Sequence, residues 1–363
     1  MAASQLELRS GSAGSWPIGT IPYERGYARP PSIREAVAEA HRTSLLRTTA
    51  ATALEYSIAI AAATASIAAI RHWPLYLAAP VVGVALVAIA RVQRALECLV
   101  HEASHYNWSR SRRVNDVLAD TLVAAPVLSR VARYRRGHLV HHARFGTPAD
   151  PDLRRYREFD LEGIDRCTRV AFVQALFSRA LPYAVGWWSA IGTDRRAVVR
   201  SMGWYGVAVA VTTLFVGLMT AVLAWAVWWV ALLVVLPFIR LVGESSEHIY
   251  AGTSTVFDAT ITNTGHLQRL FIHPHGDAFH TLHHLWPRVP HHRLESLHSA
   301  LCTMDIARYG SQLRRRRRVR DRPTLSRREC VLLGRSRGRE VETWSSPSTR
   351  RSSIATPRCT SEC

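Results

Sequence analysis

Between Gly203 and Ile239 the chain runs for 37 residues without a charged side chain. About 20 apolar residues suffice for a helix to cross a bilayer core. Because hydrocarbon offers no hydrogen-bond partners, such a segment must satisfy its own backbone. The block therefore predicts two spans, near 203–221 and 222–240, turning back on each other. Arg196 and Arg200 flank one end and Arg240 the other, which suits a hairpin whose ends lie on the basic, cytoplasmic side. A second pair is predicted at about 52–70 and 74–91, broken by Arg71, His72, Trp73 and Pro74. The expected fold class is all-α and integral to the membrane: about four transmembrane helices in two hairpins, with a helical cap on the cytoplasmic side. Burial of the same helices inside a large soluble protein is the competing reading.

Charge divides the rest. The net charge of +19 is carried by arginine alone, with no lysine in the chain. Much of the excess follows Gln312, where fifteen arginines face five acids. In a chain with membrane spans this run reads as a solvated tail able to touch anionic headgroups, not as a nucleic-acid site. The domain reading is a flexible leader over 1–31, a membrane domain over 32–311 and an Arg-rich, disordered tail over 312–363. Within the membrane domain, 172–191 is apolar but interrupted by Arg179 and Pro182, which suggests a helix lying in the interface. The six cysteines form no CxxC pair, so neither a disulfide framework nor a thiolate cluster is indicated. No signal-peptide core precedes the first span.

Three histidine sets carry the chemistry: His101 and His105 in HEASH, His138, His141 and His142 in HLVHH, and His280, His283 and His284 in HTLHH. Residues three and four apart share a helix face, so each set can aim its rings at one place. Imidazole is a ligand for iron, zinc, copper and nickel, and eight are more than one tetrahedral ion needs. The helical pattern of the second span continues past Arg91, placing His101 roughly 15 Å further along the same helix. The ends of both hairpins then bring every set to one side of the membrane.

HEASH also matches HExxH, in which two histidines bind zinc and the glutamate acts as base, but a zinc protease leaves the two HxxHH sets unexplained. A carboxylate di-iron bundle needs a second Glu-x-x-His pair, and only Glu102 with His105 offers one. A metal transporter favours ionisable groups within its spans, and the charge-free block has none.

The order HxxxH, HxxHH, HxxHH, with GTPADPDL (146–153) after the second set and HLWPRVPHHRL (284–294) after the third, resembles the membrane fatty acid desaturase and hydroxylase superfamily over roughly Leu54 to His298. The resemblance implies two iron ions held by histidines, with O2 as co-substrate, oxidising an unactivated C–H bond. It implies desaturation of a fatty acyl chain or, alternatively, hydroxylation or ketolation of a lipid, carotenoid or small ring compound. By the same likeness His248, just after the last span, is a ninth ligand, and Glu244 is a candidate to hold a metal-bound water. Glu102 and Glu247 are read as partners orienting ring N–H groups. His273 and His275 stay outside the ligand set, as do His41, His72, His266, His291, His292 and His298. Electrons must come from an external donor such as a ferredoxin, a rubredoxin or a cytochrome b5-like protein with its reductase. The expected setting is a bacterial cell membrane with the metals on the cytoplasmic side.

Overall fold

The computed structural model describes residues 26–325. The leader up to residue 25 and the tail from 326 lie outside the described residues. Helix α1 (Arg34–Ala40) leads into α2 (Leu45–His72), whose first turn is capped by the Ser44 hydroxyl accepting the Arg47 N–H. Trp73 and Pro74 break the chain where the sequence predicts, and α3 (Leu75–Ser104) packs along α2. At about 1.5 Å per residue α3 is roughly 45 Å long, against about 30 Å of hydrocarbon. Its two halves differ accordingly: Leu75, Tyr76 and Val84 are exposed, whereas Val92 to Ser104 is buried apart from Glu97. The second half of a membrane helix is thus the floor of a protein core.

That core is built over α3 by α4 (Arg112–Ala119), α5 (Val131–Arg144) and α6 (Pro151–Glu158). Helix α7 (Arg169–Gly192) runs unbroken through Pro182 and exposes Val170, Val173, Phe177, Leu181, Val185 and Trp188. Their three- and four-residue spacing makes one apolar stripe, the kind a helix lying in the membrane interface presents.

Helix α8 (Arg195–Val216) is followed by α9 (Leu218–Val230) and α10 (Leu236–Glu244). The last two are joined by a π-helical turn at Ala231–Val235 into one run, Leu218–Glu244. Pro237, lacking an N–H, cannot complete the regular ladder to the turn before it, and the wider turn takes up the mismatch. Among the described residues four helices are long and apolar enough to cross a membrane: α2, α3, α8 and the Leu218–Glu244 run. The chain turns at Gly217 (φ 78°, ψ 157°), earlier than the 221/222 boundary set by halving the uncharged block. Only glycine adopts that backbone readily, so the turn sits where glycine is.

Beyond α10 come α11 (Val256–Ala259), β1 (Thr262–Asn263), α12 (His280–Leu285), α13 (His291–Met304), β2 (Arg314–Arg316) and β3 (Thr324–Leu325). β1 pairs in parallel with β2, and β2 antiparallel with β3. The fold is mostly helical, but all-α omits this small sheet. The boundary at 312 also needs correction: Leu313 is fully buried, Arg315 and Arg316 are buried, and the Arg316 carbonyl accepts the Thr264 N–H at 2.8 Å. Charge density reported a tail; backbone pairing makes a strand.

Candidate metal centre

Each histidine set rides on a different element. His101 lies in the last turn of α3 and His105 is its C-terminal cap; His138, His141 and His142 share one face of α5; His280, His283 and His284 are on α12. His248 follows α10 and is held by an isolated β-bridge to Thr260, its Nδ1 donating to the Ala259 carbonyl at 3.3 Å. All nine rings meet in one region, every one buried except the half-buried His142.

Their donor atoms fall into two groups. His101, His105, His138, His142 and His283 bring one nitrogen each to within 4.8 Å of all the others. His141, His248 and His284 do the same, and His280 joins them through an Nε2 only 2.9 Å from that of His248. The division is therefore five and four. The His138 Nε2 stands 2.9 Å from His101, 2.9 Å from His105 and 3.0 Å from His142. A neutral ring nitrogen carries one proton or one lone pair, so it cannot hydrogen-bond to three like atoms at once. Around a metal ion with imidazole bonds of about 2.0–2.1 Å, neighbouring nitrogens fall at about 2.9–3.4 Å by simple geometry. The observed spacings fit ions better than they fit hydrogen bonds.

Protonation favours binding as well. Burial first, then the neighbouring imidazoles, hold His105, His138, His142, His248, His283 and His284 well below the ordinary histidine value. Burial brings His280 down to about 3. These rings are neutral in the metal-free protein, the form that coordinates. His141 is the exception: burial works to lower it, but Asp152 and the hydrogen bond that its ring donates to Asp150 leave it raised.

Two of the outer nitrogens, those of His141 and His101, are fixed by carboxylates absent from the sequence reading. His141 Nδ1 lies 3.0 Å from Asp150, whose carboxylate also accepts the N–H groups of Asp152 and Gly146 and so caps α6. His101 Nδ1 lies 3.4 Å from Asp277, which is bound by Arg94 and by His273, each at 3.0 Å. Burial works against the Asp277 charge, yet Arg94 and the two histidines keep its carboxyl well below the usual range. Such carboxylates set ring orientation and raise ligand basicity. A signal for Asp150 existed in the Asp-Pro start of a helix after the second set; Asp277, three residues before His280, gave a weaker one.

The three glutamates of the sequence reading are placed differently. Glu102 accepts from the Asn107 side chain at 3.1 Å and from the His291 N–H at 2.7 Å. Glu247 pairs with Arg94 at 3.1 Å, and its carboxylate also lies near the ring nitrogens of His248 and His280. Glu244 is clamped by Arg155 at 2.5 and 2.6 Å and by Arg240 at 3.0 Å. Among the histidines left out of the set, His275 pairs with Glu55 inside α2, and His298 with Tyr309.

A cavity of about 380 Å³ opens on both groups and runs from His138 and His248 toward Val127, Leu128, Trp187 and Ile191. Glu244 and Arg240 form part of its wall. Two adjacent sets of imidazoles beside such a cavity can hold two ions against a bound substrate.

Comparison with known proteins agrees with this geometry. The family model described as Fatty acid desaturase matches residues 71–313, which include all nine histidines. Dihydrorhizobitoxine desaturase of Bradyrhizobium elkanii is 26% identical over 261 residues, covering 66% of this chain and 70% of the relative.

Proposed function

The chain belongs to the fatty acid desaturase family, an oxidoreductase class, and on that premise we propose that it uses O2 to oxidise an unactivated C–H bond of a lipid at a di-iron centre. His101, His105, His138, His142 and His283 hold one ion in this reading, and His141, His248, His280 and His284 the other. The observation that carries it is the convergence of nine imidazoles into sets of five and four.

Bound iron would activate O2 for the oxidation, a chemistry that no side chain provides. The protein's part is to fix the ions, seat the substrate and keep water away. Asp150 and Asp277 orient His141 and His101. The buried walls of α3, α5 and α12 exclude bulk water. Val127, Leu128, Trp187 and Ile191 offer an apolar seat for the chain beside the ions. Glu244, on the same cavity wall, is the candidate to reach the four-histidine set through water, held in place by Arg155 and Arg240.

Desaturation of an acyl chain is the reaction we favour, since the relative is named as a desaturase. Two hydrogens leave the substrate, an external donor such as a ferredoxin, rubredoxin or cytochrome b5-like protein supplies two electrons, two protons enter, and O2 becomes two waters. Hydroxylation on the same scaffold is the second reading, because the histidine set is common to both. Spans paired as two hairpins, with the metals on the cytoplasmic face and residues 32–311 as the working domain, complete the proposal. Metal analysis of the purified protein and mass spectrometry of host lipids test it. About two irons per chain and products short of two hydrogens are expected; a product with one added oxygen moves the reading to hydroxylation. His141→Ala should abolish oxidation while membrane insertion persists. One zinc and no iron would overturn the proposal.

A further inference from the structure

The arginine run after Gln312 sends two of its members inside the fold, and for one of them, Arg316, the described residues offer no carboxylate within ion-pairing distance. Arg316, on β2, is 4% exposed. Its side chain makes a single long hydrogen bond, 3.4 Å to the Ser245 carbonyl, and its Nε is buried without a partner. The same carbonyl accepts from Arg166 at 2.8 Å, so two guanidinium groups converge on one oxygen. Arg166 otherwise reaches the Ser245 hydroxyl and the Val319 carbonyl. Among the described residues neither cation has a carboxylate within ion-pairing distance.

The acids nearby are already engaged: Asp321, the carboxylate that bears on Arg316, accepts the Arg318 N–H at 2.9 Å. Glu162 accepts the N–H groups of Tyr250 and Ala251 at 3.2 and 3.3 Å, and Asp165 accepts the Cys167 N–H at 2.7 Å. Arginine stays charged in proteins, and a buried charge without a partner is costly. The strain is visible in both groups: burial and the second guanidinium bring Arg316 down to about 9, and burial brings Arg166 to about 10.

The two arginines line a cavity of about 530 Å³ together with a third, Arg322, and with the engaged acids Glu162 and Asp165, so that three cations face two carboxylates. His248 lies on its wall and on the wall of the cavity beside the metals. The two spaces thus share His248 as a wall residue. The arginine-lined one has room for a ligand, two forked donors aimed at one point and a charge deficit of the matching sign.

We propose that Arg166 and Arg316 form an oxyanion site, taking a phosphate or carboxylate group in the cavity that they line together with His248. Planar guanidinium forks match such groups in a way that point-like cations do not. The oxyanion comes either from the head of an amphiphilic substrate or from free phosphate. This assignment stands apart from the choice between desaturation and hydroxylation, and needs no iron to be tested.

Thermal unfolding of the full-length protein in neutral detergent, with ionic strength held constant by chloride, gives the readout. Inorganic phosphate at a hundredfold excess over its Kd should raise the unfolding temperature by about 5 °C. Arg166→Met should lose that shift, as should Arg316→Met, while Arg166→Lys should keep part of it. Should Arg316→Met fail to fold, the more accessible Arg166→Met decides alone. Dioctanoyl phosphatidate in place of phosphate separates the sources. A shift at concentrations at least about tenfold lower assigns the site to a lipid-like head, and a shift no better than phosphate's assigns it to the free anion. Wild-type protein indifferent to both probes would overturn the proposal, and so would an undiminished shift in Arg166→Met.

Discussion

An imidazole in water hydrogen-bonds on both edges; here nine rings surrender one edge each to a shared interior. Residues supplying the other edge then become as telling as the rings. Asp150 holds His141 and caps α6 with the same carboxylate. Asp150→Ala should therefore weaken iron binding by about 10–100-fold, the usual effect of removing a carboxylate behind a metal-bound histidine. It should also cost about 1 kcal/mol of stability through the lost cap. Asp150→Asn keeps an acceptor oxygen, so it should recover the cap and only part of the affinity; iron titration beside thermal unfolding tells the two losses apart. His138→Ala removes the nitrogen that sits within 3.0 Å of three others. It should drop iron content from about two per chain to about one, read by metal analysis, with the four-histidine set still loaded. Eight of the rings were legible in the sequence because helical spacing is a local signal, whereas His248 came only from the family likeness. Asp277, Arg94 and Glu55 were not, because what gives them meaning is a partner far along the chain: Arg94 reaches Glu247 and Asp277, and Glu55 reaches Arg91 and His275.

At the level of elements, hydropathy found all four long helices and missed where two of them end. An uncharged block says nothing about its own midpoint, and the turn went to the residue whose backbone allows it. Gly217 lies at φ 78° and ψ 157°, in a region that is essentially closed to other residues, Asn included. A Cβ at this position would meet nothing within 4 Å, so any cost of substitution comes from the backbone alone. Gly217→Ala and Gly217→Asn should each destabilise by about 1–3 kcal/mol. Thermal unfolding checks this, and a clear rescue by Asn would show that the backbone there is ordinary left-handed helix. The end of α3 teaches a related point. Its periodicity ran past the membrane in the sequence, and the structure uses those extra turns to carry His101 into the core above.

Taken whole, the molecule ties its metal centre to a segment that composition assigned to solvent. The centre has three helical sides, α3, α5 and α12, and a fourth where the chain from His248 to Asn263 closes over it. That fourth side has little regular structure of its own. It is braced by the bridge of His248 to Thr260, by β1, and through β1 by β2. The Asn263 side chain donates to the Ser246 carbonyl at 3.0 Å, and its N–H to the Ala278 carbonyl at 2.9 Å. A strand of arginines was invisible as a strand because such residues signal solvation, whereas pairing depends only on the backbone they share with every other residue. If 312–363 were only a tail, ending the chain at Leu313 would leave the metals untouched. Because β2 braces β1, the truncated protein should instead lose iron from the set containing His248 and His280. The expected content is about one iron per chain, with the five-histidine set retained, and metal analysis of the truncated and full-length proteins side by side measures it. Equal iron in the two would mean that the fourth side stands without the sheet, and that the arginine strand serves the surface alone.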